Sequence, residues 1–301
     1  MFPWIKSVLK YCPLLVLSIV SVSFHYSNIY PHRRGFFCHD HSLKYPYVEN
    51  QTIPKYLCLL VWLVLVSLVL ATSKLVKKIP LEQPLKHFLT GLIICLILTD
   101  VLKHIIGRLR PHFLTLCNPD FPTICYDETA FYTIGESNEQ HFDDFSQKYV
   151  NDNETIICNN TNSEQIREAR LSFISGHASF SFYCASFLII FMLKYRKTLA
   201  IQKDVLVVLY LLISTLASLI SITRISDYLH HPMDVVIGAL MGTGISCLFN
   251  IISTQDETSL SFKKCHKKQR EEIVNDKCHK EEKERIENGL SLEMNQTDLF
   301  D

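Results

Sequence analysis

The sequence has no net charge and no even spread of apolar residues, and each absence excludes a class of protein. Lysine and arginine number 30, as do aspartate and glutamate, so the charge balance indicates no nucleic-acid partner. The 301 residues could hold two soluble domains, but the apolar residues are concentrated in blocks. Clustered metal ligands are also lacking, since Cys265 and Cys278 are each followed by a single histidine. We therefore predict no metal site and no cofactor.

What the sequence does contain is a series of apolar runs that could cross a membrane. Runs of about 20 residues match a hydrocarbon core about 30 Å thick. The first run could also be a cleaved signal peptide, because Lys6 and Lys10 precede it, but a retained anchor is the preferred interpretation. We predict an all-α, polytopic membrane protein with six transmembrane helices, at residues 7–26, 55–76, 86–106, 171–192, 205–222 and 235–252. These form one domain, 1–252, followed by a charged tail, 253–301.

Basic residues flank alternate connections and set the orientation of the spans. They precede the first span and fill the second and fourth connections, at Lys6, Lys10, Lys74, Lys77, Lys78, Lys86, Lys194, Arg196, Lys197 and Lys203. The positive-inside rule places these connections and the tail in the cytosol. The loop 107–170 then lies in the lumen or outside the cell, as do the glycosylation acceptors Asn50, Asn153 and Asn159. A further acceptor, Asn295, falls in the cytosolic tail and should stay unmodified.

The cysteines divide by predicted compartment. Those on the non-cytosolic side could form disulfides, but their spacing leaves the pairing open, and they are Cys38, Cys117, Cys125 and Cys158. Those inside the spans are better explained as small packing residues, and they are Cys12, Cys58, Cys95, Cys184 and Cys247. We therefore expect disulfides only outside the cytosol.

Three short segments carry residue types suited to phosphate chemistry, and the topology brings them to one membrane face. In KHIIGRLRP, Lys103 and Arg110 are seven residues apart, or about two helical turns. This spacing predicts that both side chains lie on one face of a helix that ends at Pro111. Lys103 lies inside an apolar run, where an ionisable residue indicates function or a charged partner. Two cations at this depth could bind one anion.

The second segment, SGH, opens a helix whose free amides favour a phosphate. Ser175 can donate a hydroxyl or simply cap the helix, Gly176 permits close approach, and His177 can act as a general acid. The third segment, TRISDYLHHPMD, supplies Arg224 and a carboxylate, Asp234, that can orient an imidazole. His230 precedes Asp234 by four residues and His231 by three, so the residue chemistry alone leaves the choice of histidine open.

These segments resemble the K-x6-RP, PSGH and SR-x5-H-x3-D motifs of the type 2 phosphatidate phosphatase superfamily, and the spacing of the third motif selects His230. Ile174 replaces the motif proline and Thr223 replaces the motif serine, which affects positioning rather than titrating groups. The surrounding stretches are similar to the animal lipid phosphate phosphatase branch over residues 30–252, except in the loop 120–170.

The resemblance implies a metal-independent integral membrane phosphatase that acts on phosphatidate, lysophosphatidate, sphingosine 1-phosphate and ceramide 1-phosphate. It implies a phosphohistidine at His230, oriented by Asp234, with His177 as general acid and base. The phosphate would be held by Lys103, Arg110, Ser175, Gly176 and Arg224. The enzyme would sit in the plasma membrane or an endomembrane with its site on the lumenal or extracellular side, among membrane lipids. The oligomeric state stays open, a homo-oligomer included.

Two other functions fit part of the pattern. One is a superfamily phosphatase for a sugar phosphate or a polyprenyl diphosphate. The other is a non-catalytic membrane glycoprotein that binds phospholipid through the same cations, although anion binding needs neither a nucleophile nor an acid. A transporter is disfavoured because the polar residues cluster at one end of the spans rather than at midplane.

Overall fold

The computed structural model describes residues 29–38, 40–77, 79–120, 149–151 and 158–252, together with the single residues 16, 18, 19 and 125. In chain order the elements are β1 (Phe36–Phe37), a short 3-10 helix (His41–Leu43), α1 (Lys55–Lys77), α2 (Glu82–Ile106), α3 (Phe113–Cys117), β2 (Tyr149–Val150), α4 (Ser163–Glu168), α5 (Gly176–Lys194), α6 (Arg196–Leu199), α7 (Lys203–Ser226) and α8 (Pro232–Ile252). Apart from the two short strands, which pair antiparallel, the described elements are helical, as predicted.

Five of the described helices, α1, α2, α5, α7 and α8, are long and apolar enough to cross a membrane. Many of their apolar side chains are exposed, as expected for surfaces that face lipid, among them Leu60, Val64, Leu68, Leu211 and Leu212. The first predicted span, 7–26, lies outside the described residues except at 16, 18 and 19, so the count of six stays a prediction. The protein is an integral membrane protein.

The helix bounds differ from the predicted spans mainly at the start of α5. The span predicted to begin at residue 171 begins at Gly176, because Ser175 has an extended backbone and caps the helix. Helix α7 is two residues longer at its start and four at its end than predicted, whereas α2 begins four residues earlier, at Glu82, and α8 three residues earlier, at Pro232. Helix α1 nearly matches its predicted span. The five predicted segments that lie among the described residues therefore correspond to helices, and most of their ends differ from the prediction by one to five residues.

The central helix is α5, which contacts α1, α2 and α7. Its buried polar side chains are hydrogen-bonded to its neighbours. Trp62 of α1 donates its indole N–H to Ser181 Oγ at 3.0 Å, and the Tyr183 hydroxyl donates to the Phe88 carbonyl of α2 at 2.7 Å. Because hydrocarbon offers no hydrogen-bond partners, such bonds fix how the helices rotate against each other.

Helix α2 ends earlier than the first motif predicted. Gly107 is left-handed, with φ 56°, and its N–H donates to the Lys103 carbonyl at 3.0 Å. A side chain there would collide with the His32 carbonyl, so the turn requires glycine. The predicted single helical face for Lys103 and Arg110 is therefore wrong. Arg110 is placed instead by its own N–H, which donates to the Ala169 carbonyl at 2.8 Å.

Two disulfides tie together segments that lie outside the membrane helices. Cys38 pairs with Cys125 and Cys117 with Cys158, which settles a pairing that the sequence left open. The cysteines Cys58, Cys95 and Cys184 are buried free thiols, in agreement with their predicted packing role. Beside the disulfides lies a small apolar cluster, formed by Phe36, Leu43, Leu109, Phe113, Leu114, Cys117 and Ala169.

The acceptor asparagines Asn50 and Asn159 are exposed, whereas Asn153 lies outside the described residues. Their glycosylation stays a prediction. The described residues up to Asn250 belong to one compact unit. The tail 253–301, with Asn295, lies outside the described residues, so its division from the membrane domain and its cytosolic location also stay predictions.

Close packing of α8 on α5 gives a testable consequence. A β-carbon at Gly242 would collide with the Ser179 carbonyl oxygen, whereas one at Gly244 would meet nothing within 4 Å. We expect Gly242→Ala to cost about 1 to 3 kcal/mol, because backbone cannot yield as a flexible side chain can. Thermal unfolding in detergent measures this. Gly244→Ala is the matched control and should unfold at or slightly above the wild-type temperature, and equal losses in both variants would contradict the packing.

Candidate active site

A cavity of about 770 Å³ lies among the ends of the membrane helices. Six of the eight predicted catalytic and substrate-binding residues line it, namely Lys103, Arg110, Gly176, His177, Arg224 and His230. They come from α2, the turn after it, α5, the end of α7 and the turn before α8. Three segments far apart in sequence therefore meet at one cavity, as the predicted topology requires.

The other two predicted residues, Ser175 and Asp234, lie behind the cavity wall. Ser175 is fully buried and its Oγ accepts the Ala178 N–H at 3.5 Å, so its hydroxyl oxygen caps α5. Its backbone N–H donates to the Asp234 carbonyl at 3.0 Å. Ser175 thus joins the start of α5 to the start of α8. The residues of this motif that reach the cavity are Gly176 and His177.

The cations of the cavity have donors left over. Lys103 Nζ forms no hydrogen bond or ion pair with any residue that the structure describes, and a β-carbon at Gly176 would lie 3.5 Å from it. Arg110 is nearly buried, and its Nε is a buried donor without a partner among the described residues. Buried donors without partners are rare in folded proteins, so Arg110 Nε at this cavity, beside the ammonium of Lys103, indicates an anionic ligand.

His230 has a defined tautomer. Its Nδ1 lies 2.6 Å from the Ser172 carbonyl oxygen, which can only accept, so Nδ1 carries the proton. Nε2 is left with its lone pair on a ring that lines the cavity. Burial lowers the pKa of His230 well below its usual value, and the nearby charges of Arg110 and Lys103 lower it further. The ring is therefore neutral at physiological pH.

The direct contact predicted between Asp234 and His230 is not present. The reason is that His230 precedes the first turn of α8, so the four-residue spacing does not place the two side chains on one helical face. Asp234 is fully buried and accepts three other hydrogen bonds. Their donors are Arg108 Nη1 at 2.7 Å, Ser172 Oγ at 2.6 Å and the His231 N–H at 3.1 Å.

The two neighbouring histidines occupy different environments. His231 Nε2 faces the Leu109 carbonyl at 3.1 Å, and His231 does not line the cavity. His177 lines it, and its Nε2 is buried with no partner among the described residues. His177 and His230 therefore face the same space, which a third imidazole, His112, also lines, with its Nδ1 2.8 Å from the Tyr228 carbonyl.

An anion of the protein itself, Glu168, was missed from the sequence. It lies in the 107–170 loop, on α4, and lines the cavity. Arg110 Nη2 donates to it at 3.0 Å, and Lys55 Nζ lies 3.6 Å from it. Burial alone would raise the pKa of Glu168, but Arg110, Lys55 and Lys103 outweigh burial and lower the pKa to about 2. No spacing rule links residue 168 to residue 110, so only the fold could reveal this pair.

Besides the charged groups, the cavity is lined by polar side chains, among them Gln51, Thr99 and Asn162, and by a group of apolar ones. Leu59 of α1, Leu92 and Leu96 of α2 and Phe180 of α5 line it below the charged groups. Leu59 is 46% exposed and Leu96 is 36% exposed, so this part reaches the outer surface of the helix bundle. The cavity can therefore hold a molecule with a charged head and an apolar body.

Among the described residues, no group of three or more His, Cys, Asp or Glu side chains is arranged to hold a metal ion.

Comparison with known proteins gives consistent matches. Residues 84–257 match the PAP2 superfamily. Phospholipid phosphatase 1 of Rattus norvegicus is 34% identical over 234 residues, which cover 72% of this chain and 74% of the relative. The Mus musculus protein of that name is 33% identical, covering 80% and 81%. Phospholipid phosphatase 2 of Homo sapiens is 30% identical, covering 81% of each chain.

No solved structure gave a significant match. The superfamily match includes α2, α5, α7 and α8, which carry or flank every predicted catalytic residue. Together with relatives that align along most of their length, it confirms the resemblance drawn from the three motifs. The chain belongs to the PAP2 superfamily and, within it, to the lipid phosphate phosphatase branch.

Proposed function

We propose that this protein is an integral membrane lipid phosphate phosphatase that works through a phosphohistidine and needs no metal. The observation that carries the proposal is the cavity itself, where Lys103, Arg110 and Arg224 and the imidazoles of His177 and His230 face a space whose apolar part reaches the surface of the bundle. Similarity to proteins named phospholipid phosphatase supports a phosphatase acting on lipid. The family's lipids, phosphatidate, lysophosphatidate, sphingosine 1-phosphate and ceramide 1-phosphate, are the proposed substrates.

In this proposal the phosphate binds among Lys103, Arg110 and Arg224. Guanidinium forks match phosphate oxygens, and the ammonium adds a point charge. The free donors on Lys103 and Arg110 would point to the ligand, and the amide end of α5 at Gly176 would add to them. Fixed positive charge of this kind stabilises the charge that grows on the phosphoryl oxygens during transfer.

The proposed nucleophile is His230 Nε2. The Ser172 carbonyl holds the proton on Nδ1, which leaves the lone pair of Nε2 toward the cavity. Attack forms the N–P bond while the bond from phosphorus to the lipid oxygen breaks. His177 then gives a proton to the leaving alkoxide and later takes one from the water that hydrolyses the phosphohistidine.

Asp234 would act on His230 through Ser172 rather than directly. Its carboxylate holds the Ser172 hydroxyl, and the carbonyl of the same residue holds the ring. Arg108 balances the buried charge at 2.7 Å. Asp234, Arg108 and Ser172 are thus proposed positioning residues, and Ser175 takes the same role by joining α5 to α8.

The proposed orientation places the cavity on the lumenal or extracellular side, because basic residues fill the opposite connections. The alternatives are a superfamily phosphatase for a sugar phosphate or polyprenyl diphosphate, and a lipid-binding glycoprotein without activity. The apolar half of the cavity favours a lipid over a sugar phosphate. The free Nε2 of His230 beside His177 favours catalysis over binding.

The first prediction is that purified protein releases phosphate from phosphatidate and lysophosphatidate in excess EDTA. Three fixed cations supply the charge stabilisation that a metal would otherwise provide. The control is glucose 6-phosphate, which lacks an apolar body and should be a much poorer substrate. Activity that disappears with the chelator and returns with magnesium would refute metal independence. A preference for the sugar phosphate would contradict the proposed lipid substrates and favour the sugar phosphatase alternative.

A second prediction separates the adjacent histidines. His230→Ala should abolish turnover and the acid-labile phosphoprotein, because it removes the only one of the two rings that lines the cavity. His231→Ala should retain a substantial fraction of the turnover, since its ring faces the Leu109 carbonyl. Rapid quenching with labelled substrate measures the phosphoprotein. Loss of labelling in His231→Ala alone would assign the nucleophile to His231.

A third prediction concerns the buried pair of Arg108 and Asp234. Arg108→Leu should cost about 3 to 5 kcal/mol of stability, because it strands a buried carboxylate. Asp234→Asn should cost about 1 to 3 kcal/mol, because all three of its partners are donors and an amide must face one of them with its own N–H. The double variant should lose less than the sum. Thermal unfolding in detergent measures all three.

Ser172→Ala tests the positioning role in the same series. It keeps the carbonyl that holds His230 but removes the hydroxyl that reaches Asp234. We expect turnover to fall while binding of inorganic phosphate is unchanged. Additive stability losses in the double variant would contradict the pairing of Arg108 with Asp234. Full turnover in Ser172→Ala would contradict the proposed link from Asp234 to His230.

A further inference from the structure

The three-residue acceptor sequence Asn50-Gln51-Thr52 lies against the arginine of the third motif. This segment precedes α1, and α7 ends with Arg224 in its last turn. Gln51 Oε1 accepts from Arg224 Nη1 at 3.2 Å, and both residues line the cavity. Thr52 donates its hydroxyl to Asp227 Oδ1 at 2.6 Å and its N–H to Asp227 Oδ2 at 2.9 Å. Nothing in the motif pattern assigns Gln51, Thr52 or Asp227 a role.

Almost every N–H donor of the Arg224 side chain has a hydrogen-bond partner. It is fully buried, and its Nε and Nη2 donate to Thr223 Oγ1 at 3.1 Å and 2.9 Å. Nη2 also donates to Asp227 Oδ2 at 3.1 Å. A guanidinium has five N–H donors. Counting partners among the described residues, the one N–H left is the second hydrogen of Nη1, the nitrogen that Gln51 holds.

The remaining N–H of Nη1 is therefore the donor that Arg224 can offer to a ligand, and Gln51 sets its direction. Gln51 is in turn delivered to that nitrogen by its neighbour Thr52, whose two hydrogen bonds fasten the segment to the buried carboxylate of Asp227. Asp227 closes the ring by accepting from Arg224 itself. The segment before α1 and the end of α7 thus form one hydrogen-bonded unit around the guanidinium.

We propose that Gln51 and Thr52 are positioning residues of the phosphate site, so that one sequon serves both as a glycan acceptor and as the clamp on Arg224. The proposal rests on the proposed phosphatase function. It assigns different duties to the three residues. Asn50 is exposed and carries the glycan, Thr52 completes the acceptor sequence and binds Asp227, and Gln51 directs the free N–H of Arg224.

The sequon itself provides matched variants. Asn50→Gln and Thr52→Ala both abolish the glycan acceptor, but only Thr52→Ala removes the hydroxyl bond to Asp227. Thr52→Ser keeps both the acceptor and the hydroxyl. Gln51→Ala keeps the acceptor, because the middle residue of a sequon can be any residue except proline, and removes the contact with Arg224.

The experiment uses the full-length glycoprotein in detergent. It measures the dissociation constant of inorganic phosphate by calorimetry, and kcat and KM on lysophosphatidate. We expect Gln51→Ala and Thr52→Ala to weaken phosphate binding about tenfold, the effect of one hydrogen bond to a charged group, and to raise KM more than they lower kcat. Asn50→Gln and Thr52→Ser should match wild type in both measurements. Loss of the glycan without loss of binding in Asn50→Gln separates the two duties.

The outcomes are distinct. Wild type that binds phosphate but hydrolyses no phosphate ester would end the proposed function, while the calorimetric comparison would still test the clamp. Wild-type phosphate binding by Gln51→Ala would overturn the inference, as would equal behaviour of Thr52→Ala and Asn50→Gln. If Thr52→Ala fails to fold, Gln51→Ala, which leaves the Asp227 contact intact, decides the matter.

Discussion

A cluster of cations withdrawn from water is the constraint on which the rest of this structure depends. Repulsion among Lys103, Arg110 and Arg224 and their loss of hydration must be offset by groups that the fold supplies. Glu168 accepts from Arg110, and Asp227 accepts from Arg224. Each carboxylate leaves donors on the cations free, which suits the proposed phosphate site. A buried charge without such a partner would be strongly destabilising.

Asp234 neutralises a further cation, Arg108, but it lies behind the site rather than in it. Its carboxylate joins three segments, through Arg108 after α2, Ser172 before α5 and His231 before α8. Its carbonyl accepts from Ser175. All four contacts lie at helix ends, where backbone groups lack helical partners. One fully buried residue thus holds together the three stretches that carry the motifs.

The cavity joins two environments. Its charged part lies where the helices end, and its apolar part, with Leu59 and Leu96, reaches the surface that faces lipid. An amphipathic ligand could therefore keep its chains in the membrane while its phosphate meets the cations. That arrangement follows from placing charges at the ends of apolar helices, where the cost of burying an ionisable group is lowest.

The sequence by itself determined the membrane segments, since runs of apolar residues partition into lipid whatever their neighbours are, and it determined which residue types meet at one face. Rules of spacing succeed within one element, but the helical pairing of Lys103 with Arg110 failed where Gly107 turns the chain. Only the tertiary structure decided that Ser172, not Asp234, holds His230, that Glu168 pairs with Arg110, and that Cys38 joins Cys125. Each of these contacts spans 58 or more residues. Such contacts arise from how separate elements pack, which no periodicity in the chain records.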